Sequence, residues 1–221
     1  MKNKILLYSL LVISTGSMAQ SPIKFGVKAG MTVSKMQGDA VKSLNGLLDY
    51  TNGMVTTGSR TGFFGGVNAN IPMDNVLSIE PGIYFSQKGY ELKGALNVKG
   101  LEFLGANAKA QLQSQYIDIP VLLKANISGL QLFAGPQVSY LLKSDLRTTA
   151  GLLGINLLNS KMDATNQFNR WDAALTGGVG YAFSNGLNVS ASYDYGLMKA
   201  DKGKSMDIYN RGFKVGLGIN F

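Results

Sequence analysis

Hydrophobic and polar positions alternate along most of this chain, in eight separate stretches. Ile23, Phe25, Val27, Ala29, Met31 and Val33 alternate with Lys24, Gly26, Lys28, Gly30, Thr32 and Ser34. Thr61, Phe63, Gly65, Val67, Ala69 and Ile71 alternate with Gly62, Phe64, Gly66, Asn68 and Asn70. A third stretch, 76–88, sets Leu77, Ile79, Ile83 and Phe85 against Glu80, Tyr84, Ser86 and Lys88. A fourth sets Ile117, Ile119, Val121 and Leu123 against Tyr116, Asp118 and Lys124. The remaining four are "LQLFAGPQVSYL", "RWDAALTGGVGYAF", "LNVSASYDYGL" and the closing "RGFKVGLGINF", which ends on Phe221. A period of two is the mark of a strand with one apolar face.

The connections choose the architecture. In chain order they run long, short, long, short, long, short, long, with tight turns at "PMDN", around "SG" and at "SNG". An up-and-down antiparallel meander then gathers every long loop at one end and every tight turn at the other. This predicts an all-β, eight-stranded transmembrane barrel with short periplasmic turns and long extracellular loops. A soluble lipocalin-like barrel is the competing reading, with the apolar face turned inward.

The aromatic residues favour the membrane version. Phe25, Tyr181, Phe183 and Phe221 fall near the turn end, and Phe63, Phe85, Tyr140, Trp171, Tyr193 and Tyr209 near the loop end. Two such girdles are expected at two lipid–water interfaces. In hydrocarbon the sheet must close, because an open edge leaves amides unpaired. A closing strand that ends on an aromatic is then held on both sides. Phe221 also resembles the terminal signal read by the barrel-insertion machinery.

The opening "MKNKILLYSLLVISTGSMAQ" has a basic start, an apolar run over 5–13 and small residues flanking Met18. It reads as a secretory signal peptide cleaved between Ala19 and Gln20. Residues 20–221 then form one domain.

Composition narrows the chemistry. The chain has no Cys and no His, which excludes disulfides, thiol catalysis, thiolate metal sites and Ser-His-Asp chemistry. No cofactor, metal site or catalytic residue is expected. The formal charge is +8, but Lys and Arg are scattered rather than clustered, so nucleic acid is not an expected partner.

By alternation Lys24, Lys28, Glu80, Tyr84, Tyr116, Asp118, Lys124, Asp194 and Lys214 point inward as a polar network. Glu80 and Lys124 lie at similar depth on neighbouring strands. Lys28, Asp194 and Lys214 are expected to meet where the barrel closes. An eight-stranded barrel is narrow enough for side chains to fill, so these charges read as a buried plug rather than an ion path. Pro81, Pro120 and Pro136 fall inside strands, where bulges are expected. "GGVG" (177–180) lacks the strand-then-helix setting of a phosphate loop and reads as close packing in the wall.

"IEPGIYFSQKGYEL" (79–92) and "YIDIPVLLKA" (116–125) are similar to the paired hallmarks of the PorT-like outer-membrane β-barrel family of Bacteroidetes. "FGVKAGMTVSKMQGD" and "YDYGL" resemble the family too. The resemblance implies an eight-stranded outer-membrane barrel but no single activity; the founding member is an accessory to protein secretion.

The loops "SLNGLLDYTNGMVTTGS", "KGALNVKGLEFLGANAKAQL" and "GLLGINLLNSKMDATNQF" are more apolar than solvated loops need to be. They pack together or extend the strands beyond the membrane. The expected function is a non-enzymatic scaffold or accessory subunit that binds another envelope or secretion protein through outer loops or wall, with outer-membrane lipids around it. The alternative is a small-ligand binder or narrow pore.

Overall fold

A computed structural model describes residues 23–38, 55–96, 106–152, 155–202 and 208–221. The expected leader and its cleavage site at Ala19 and Gln20 lie outside the described residues. Among the described residues there are nine strands: β1 (Lys24–Gln37), β2 (Val55–Pro72), β3 (Leu77–Leu96), β4 (Ala106–Ile127), β5 (Leu130–Leu152), β6 (Ile155–Asp163), β7 (Trp171–Ala182), β8 (Leu187–Gly196) and β9 (Tyr209–Asn220). All pairings are antiparallel. Eight strands close a ring in the order β1-β2-β3-β4-β5-β7-β8-β9, and β9 returns to β1. The ring is sealed at its turn end by two backbone bonds between Phe25 and Phe221, at 2.8 and 3.1 Å.

The ninth strand differs from the expected count. The long connection that the sequence places before "RWDAALTGGVGYAF" holds the outer part of β5, all of β6 and a 3-10 turn at Thr165–Gln167. β6 pairs with β5 alone among the described strands. The neighbouring strands are long as well: β3, β4 and β5 have 20, 22 and 23 residues, against 12, 10 and 12 for β7, β8 and β9. About 10 tilted residues cross a hydrocarbon core. On the β2–β6 side the wall therefore rises well past the height of the ring and becomes a free-standing sheet.

The turns at the other end are tight for local reasons. Ser128 and Gly129 both take positive φ, 51° and 91°, as a two-residue hairpin turn between right-twisted strands requires. Between β2 and β3 the Asp74 carboxylate accepts the amides of Val76 and Leu77, each at 2.7 Å.

Bulges fall elsewhere than expected. Pro81 faces Val121, Pro120 faces Gln137 and Pro136 faces Leu175, all in unbroken register. Proline removes a donor from the ladder but inserts no residue, so the strand stays in step. A register shift at Ala150 and Gly151 lies in the outer β5–β6 pairing, and two lower ones lie between Ser59 and Phe64, with the extra residue on β2, and opposite Gln115 and Tyr116, with the extra residue on β5. At the two lower levels the tall sheet leaves the ring, and an extra residue re-aims the strand.

The inner face carries more than polar side chains. Phe64, Tyr84, Leu122 and Phe133 are buried in the lumen. Glycines on the inward face make room for the rings. A Cβ on Gly216 would stand 2.6 Å from the Phe64 ring, and one on Gly178 2.6 Å from the Phe133 ring. Gly178 belongs to "GGVG", so that run serves packing. Near the loop end Met36, Leu112 and Ala164 form a small apolar cluster with Tyr90, Leu146, Phe168 and Ile208 packed against it.

Gly216→Ala is expected to destabilise the barrel by about 1–3 kcal/mol through overpacking. Urea unfolding followed by gel mobility measures this. Adding Phe64→Leu to the same chain recovers most of the loss, because the ring is the nearest obstacle; an additive double variant would contradict the pairing.

Candidate functional site: the lumen and the tall sheet

Alternation places one charged or polar side chain inward at every second residue, and the closed ring brings eight such rows together. Asp118, on β4, lies at the centre and has no solvent exposure. Its carboxylate receives Lys88 at 2.8 Å, Lys214 at 3.1 Å and the Ser86 hydroxyl at 2.8 Å. Lys214 also pairs with Asp194 at 2.7 Å, and Asp194 accepts the Thr176 hydroxyl at 2.9 Å. Lys88 stands 4.7 Å over the Tyr116 ring. The network thus joins β3, β4 and β9 through Asp118, and β9, β8 and β7 through Asp194.

A second group lies nearer the turns. Glu80 accepts from Lys124 and, at 3.5 Å, from Lys28. Lys28 therefore crosses to Glu80 on β3 and does not join Asp194 and Lys214, as strand adjacency alone suggests. The reason is reach: the stem of Lys28 spans the narrow lumen. Lys24 also departs from the expected network. It has inward parity but stands exposed at the open end of β1.

Sequence reasoning missed three partners. Lys88, Asp172 and Asn210 have inward parity yet come from segments whose polar neighbours hid their role. Asp172 is buried and accepts the Asn210 side-chain amide at 2.8 Å, and the Asn210 amide also reaches the Tyr116 hydroxyl at 3.4 Å.

The outward aromatics form pairs. Phe63 and Phe85 stand 5.7 Å apart, Tyr140 and Trp171 4.9 Å, and Tyr181 and Phe183 5.1 Å. Phe25, Tyr193 and Phe221 are exposed on the same outer wall. Tyr209 departs from this set: it is half-buried beside Arg211, whose guanidinium stacks on Tyr195 at 3.5 Å. Tyr195, 50% exposed, takes the wall position at that level.

The tall sheet has chemistry of its own. Lys143 and Lys161 bridge Asp145 at 3.4 and 3.2 Å, and Arg147 donates to Asn159 at 3.1 Å. The Lys161 and Arg147 contacts tie β6 to β5 on one face. On the other parity of β6, Leu158 and Met162 are exposed. At the base of β6 the Asp163 carboxylate accepts the Thr165 amide at 2.8 Å.

No group of acidic side chains suited to a metal occurs among the described residues. The lumen contains two small cavities, of about 40 and 10 Å³.

Residues 18–202 match the family model described as the outer membrane protein beta-barrel domain; the chain belongs to that family and resides in the outer membrane. The match indicates no catalytic family. The fold is similar to Neisserial surface protein A (14% identity, 91% of this chain and 100% of that one, TM-score 0.49). It is similar to Ail, the attachment invasion locus protein of Yersinia pestis (13%, 91% and 100%, TM-score 0.47). It is similar as well to OprG from Pseudomonas aeruginosa (14%, 91% and 97%, TM-score 0.42). No curated protein matches the chain.

Asp118→Asn leaves Lys88 and Lys214 with a weakened partner in a buried site. A loss of about 3–5 kcal/mol is expected, measured by urea unfolding in micelles. A loss below about 1 kcal/mol would mean water replaces the carboxylate. At the exposed turn, the two backbone amides hold the Asp74 carboxyl below the ordinary carboxylate range. The folded value is depressed, so the turn's extra stability is present above the unfolded pKa and fades as pH falls through the folded one. The Val76 and Leu77 amide resonances should titrate with a midpoint below that of a free aspartate, and the titration should vanish in Asp74→Ala.

Proposed function

We propose that this barrel is a non-enzymatic scaffold or accessory subunit that binds another envelope or secretion protein through its tall outer sheet. One observation carries the reading. β3, β4 and β5 run to 20–23 residues and, with β6, raise a sheet on one side of the ring only. Spanning the membrane does not require that length, since β7–β9 manage with 10–12. Ordering extra residues costs backbone entropy, about 1–2 kcal/mol each, and a sheet standing free in water repays part of that by binding. Leu158 and Met162 give it exposed apolar side chains on the face opposite its charged residues, a common feature of contact surfaces.

The motifs at 79–92 and 116–125 support placing the chain in the PorT-like, Bacteroidetes-type branch of its family. That branch includes an accessory to protein secretion, which agrees with a partner of the envelope or secretion class. Outer-membrane lipids cover the apolar wall. Phe221 is the residue we assign to recognition by the barrel-insertion machinery. The residues before Gln20 serve as the cleaved export signal. A narrow pore requires a continuous aqueous path. The packed rings and lysine–carboxylate pairs of the lumen weigh against one, and a buried plug of this kind has no place for a substrate.

The double variant Leu158→Ser and Met162→Ser tests the contact. Wild-type protein tagged in an outer loop should draw a stoichiometric partner from native outer membranes in mild detergent. The variant should insert normally, retain its heat-dependent gel mobility and lose at least about tenfold of that partner. Equal recovery from both would refute the tall sheet as the contact surface.

A further inference from the structure

The buried charges of the lumen are not evenly partnered. Four lysines (Lys28, Lys88, Lys124, Lys214) face four acids (Glu80, Asp118, Asp172, Asp194). Toward the turns two lysines share one carboxylate, because Lys28 and Lys124 both reach Glu80. Toward the loops Lys88 and Lys214 face Asp118, Asp194 and Asp172. One positive charge is therefore in excess on the periplasmic side, while toward the loops the buried Arg211 is a third cation beside the three carboxylates.

The excess cation is Lys28. Among the described residues its one ion pair is the 3.5 Å contact with Glu80, whose carboxylate is already engaged by Lys124. An ammonium has three donors, so Lys28 retains capacity. Its side chain is 11% exposed, and its nitrogen lies 5.8 Å from the Phe133 ring. A charge so placed demands a partner.

The larger cavity lies beside it. It measures about 40 Å³ and is lined by Lys28 and Lys214, by the hydroxyl-bearing Thr176, Ser190 and Ser192, and by the Phe133 ring. About 10–15 Å³ on this measure admits one water, so the space holds a monatomic anion with a water beside it. The lining supplies what an anion needs: ammonium charge and hydroxyl donors. Lys214 contributes field rather than donors, since Asp118 and Asp194 already occupy it. The smaller cavity, of about 10 Å³, has space for one water at most, and its lining sets Lys88 and Arg211 beside Asp172 and Asp194, so its own charges are matched.

We infer that the periplasmic half of the lumen binds one halide-sized anion, chloride in the cell, as the counter-ion of Lys28. The anion neutralises the surplus lysine and completes the packing around Phe133. This goes beyond the scaffold reading and does not depend on it.

The test uses the refolded full barrel, crystallised in sodium bromide and measured at the bromine absorption edge. An anomalous peak is expected in the cavity, within hydrogen-bonding distance of Lys28 Nζ and of at least one hydroxyl among Thr176, Ser190 and Ser192. In solution, the unfolding temperature should be higher in chloride than in gluconate at equal ionic strength, and Lys28→Met should abolish that difference. A cavity with water alone in bromide crystals, or bromide bound only to surface lysines, overturns the inference. So does a wild-type unfolding temperature indifferent to the anion, a result that stands even if the variant does not fold.

Discussion

Every backbone amide that crosses hydrocarbon must find a partner within the protein, and the rest of this structure depends on that constraint. A sheet meets it only by closing on itself. The closing seam is the β1–β9 pairing, whose register runs from Gly26 opposite Asn220 to Gln37 opposite Tyr209. The paired bonds of Phe25 and Phe221 carry the seam to its turn end. Closure also explains the tolerance of proline at 81, 120 and 136. Each loses one donor, yet the registered strands on either side hold the ladder together.

Closing eight strands sets a second constraint, because the interior is too narrow to hold bulk water and too wide to be left empty. Two fillings share it. Rings fill the space above glycines, as Phe64 does at Gly216 and Phe133 at Gly178. Lysine–carboxylate pairs fill the remainder, with Asp118 linking Lys88 and Lys214. A buried carboxylate is tolerable only with partners of this kind, so Asp118 fixes Lys88 on β3 and Lys214 on β9, and Lys214 in turn holds Asp194 on β8. The surplus at Lys28 is where that scheme is locally incomplete.

Outside the membrane the constraints relax, and the strands respond differently. The β2–β6 sheet is not enclosed, and its ordering relies on side-chain ties such as Lys161 to Asp145 and Arg147 to Asn159. Water satisfies an open edge there at no penalty. The same freedom makes such a sheet a natural place for contact with another molecule, while the ring beneath acts as a rigid base.

The ring itself was legible in the chain. Period-two alternation, three tight turns and two sets of aromatics define eight membrane strands, because lipid on one side and a packed lumen on the other impose opposite chemistry on successive residues. The alternation also reveals which charges face inward. It does not reveal which of them meet: Lys28 pairs with Glu80 rather than Asp194, and Lys24 ends at an open mouth, because partners depend on side-chain reach and strand stagger. Nor does it reveal β6 or the outer lengths of β3, β4 and β5. Polar residues such as Glu91, Ser114, Ser144 and Asp145 are buried there beside Leu112, so no apolar–polar contrast marks those segments as strands. Sequence alone determined what the membrane dictates residue by residue. Only the tertiary structure decided what depends on the closure of the ring and on strands pairing beyond it.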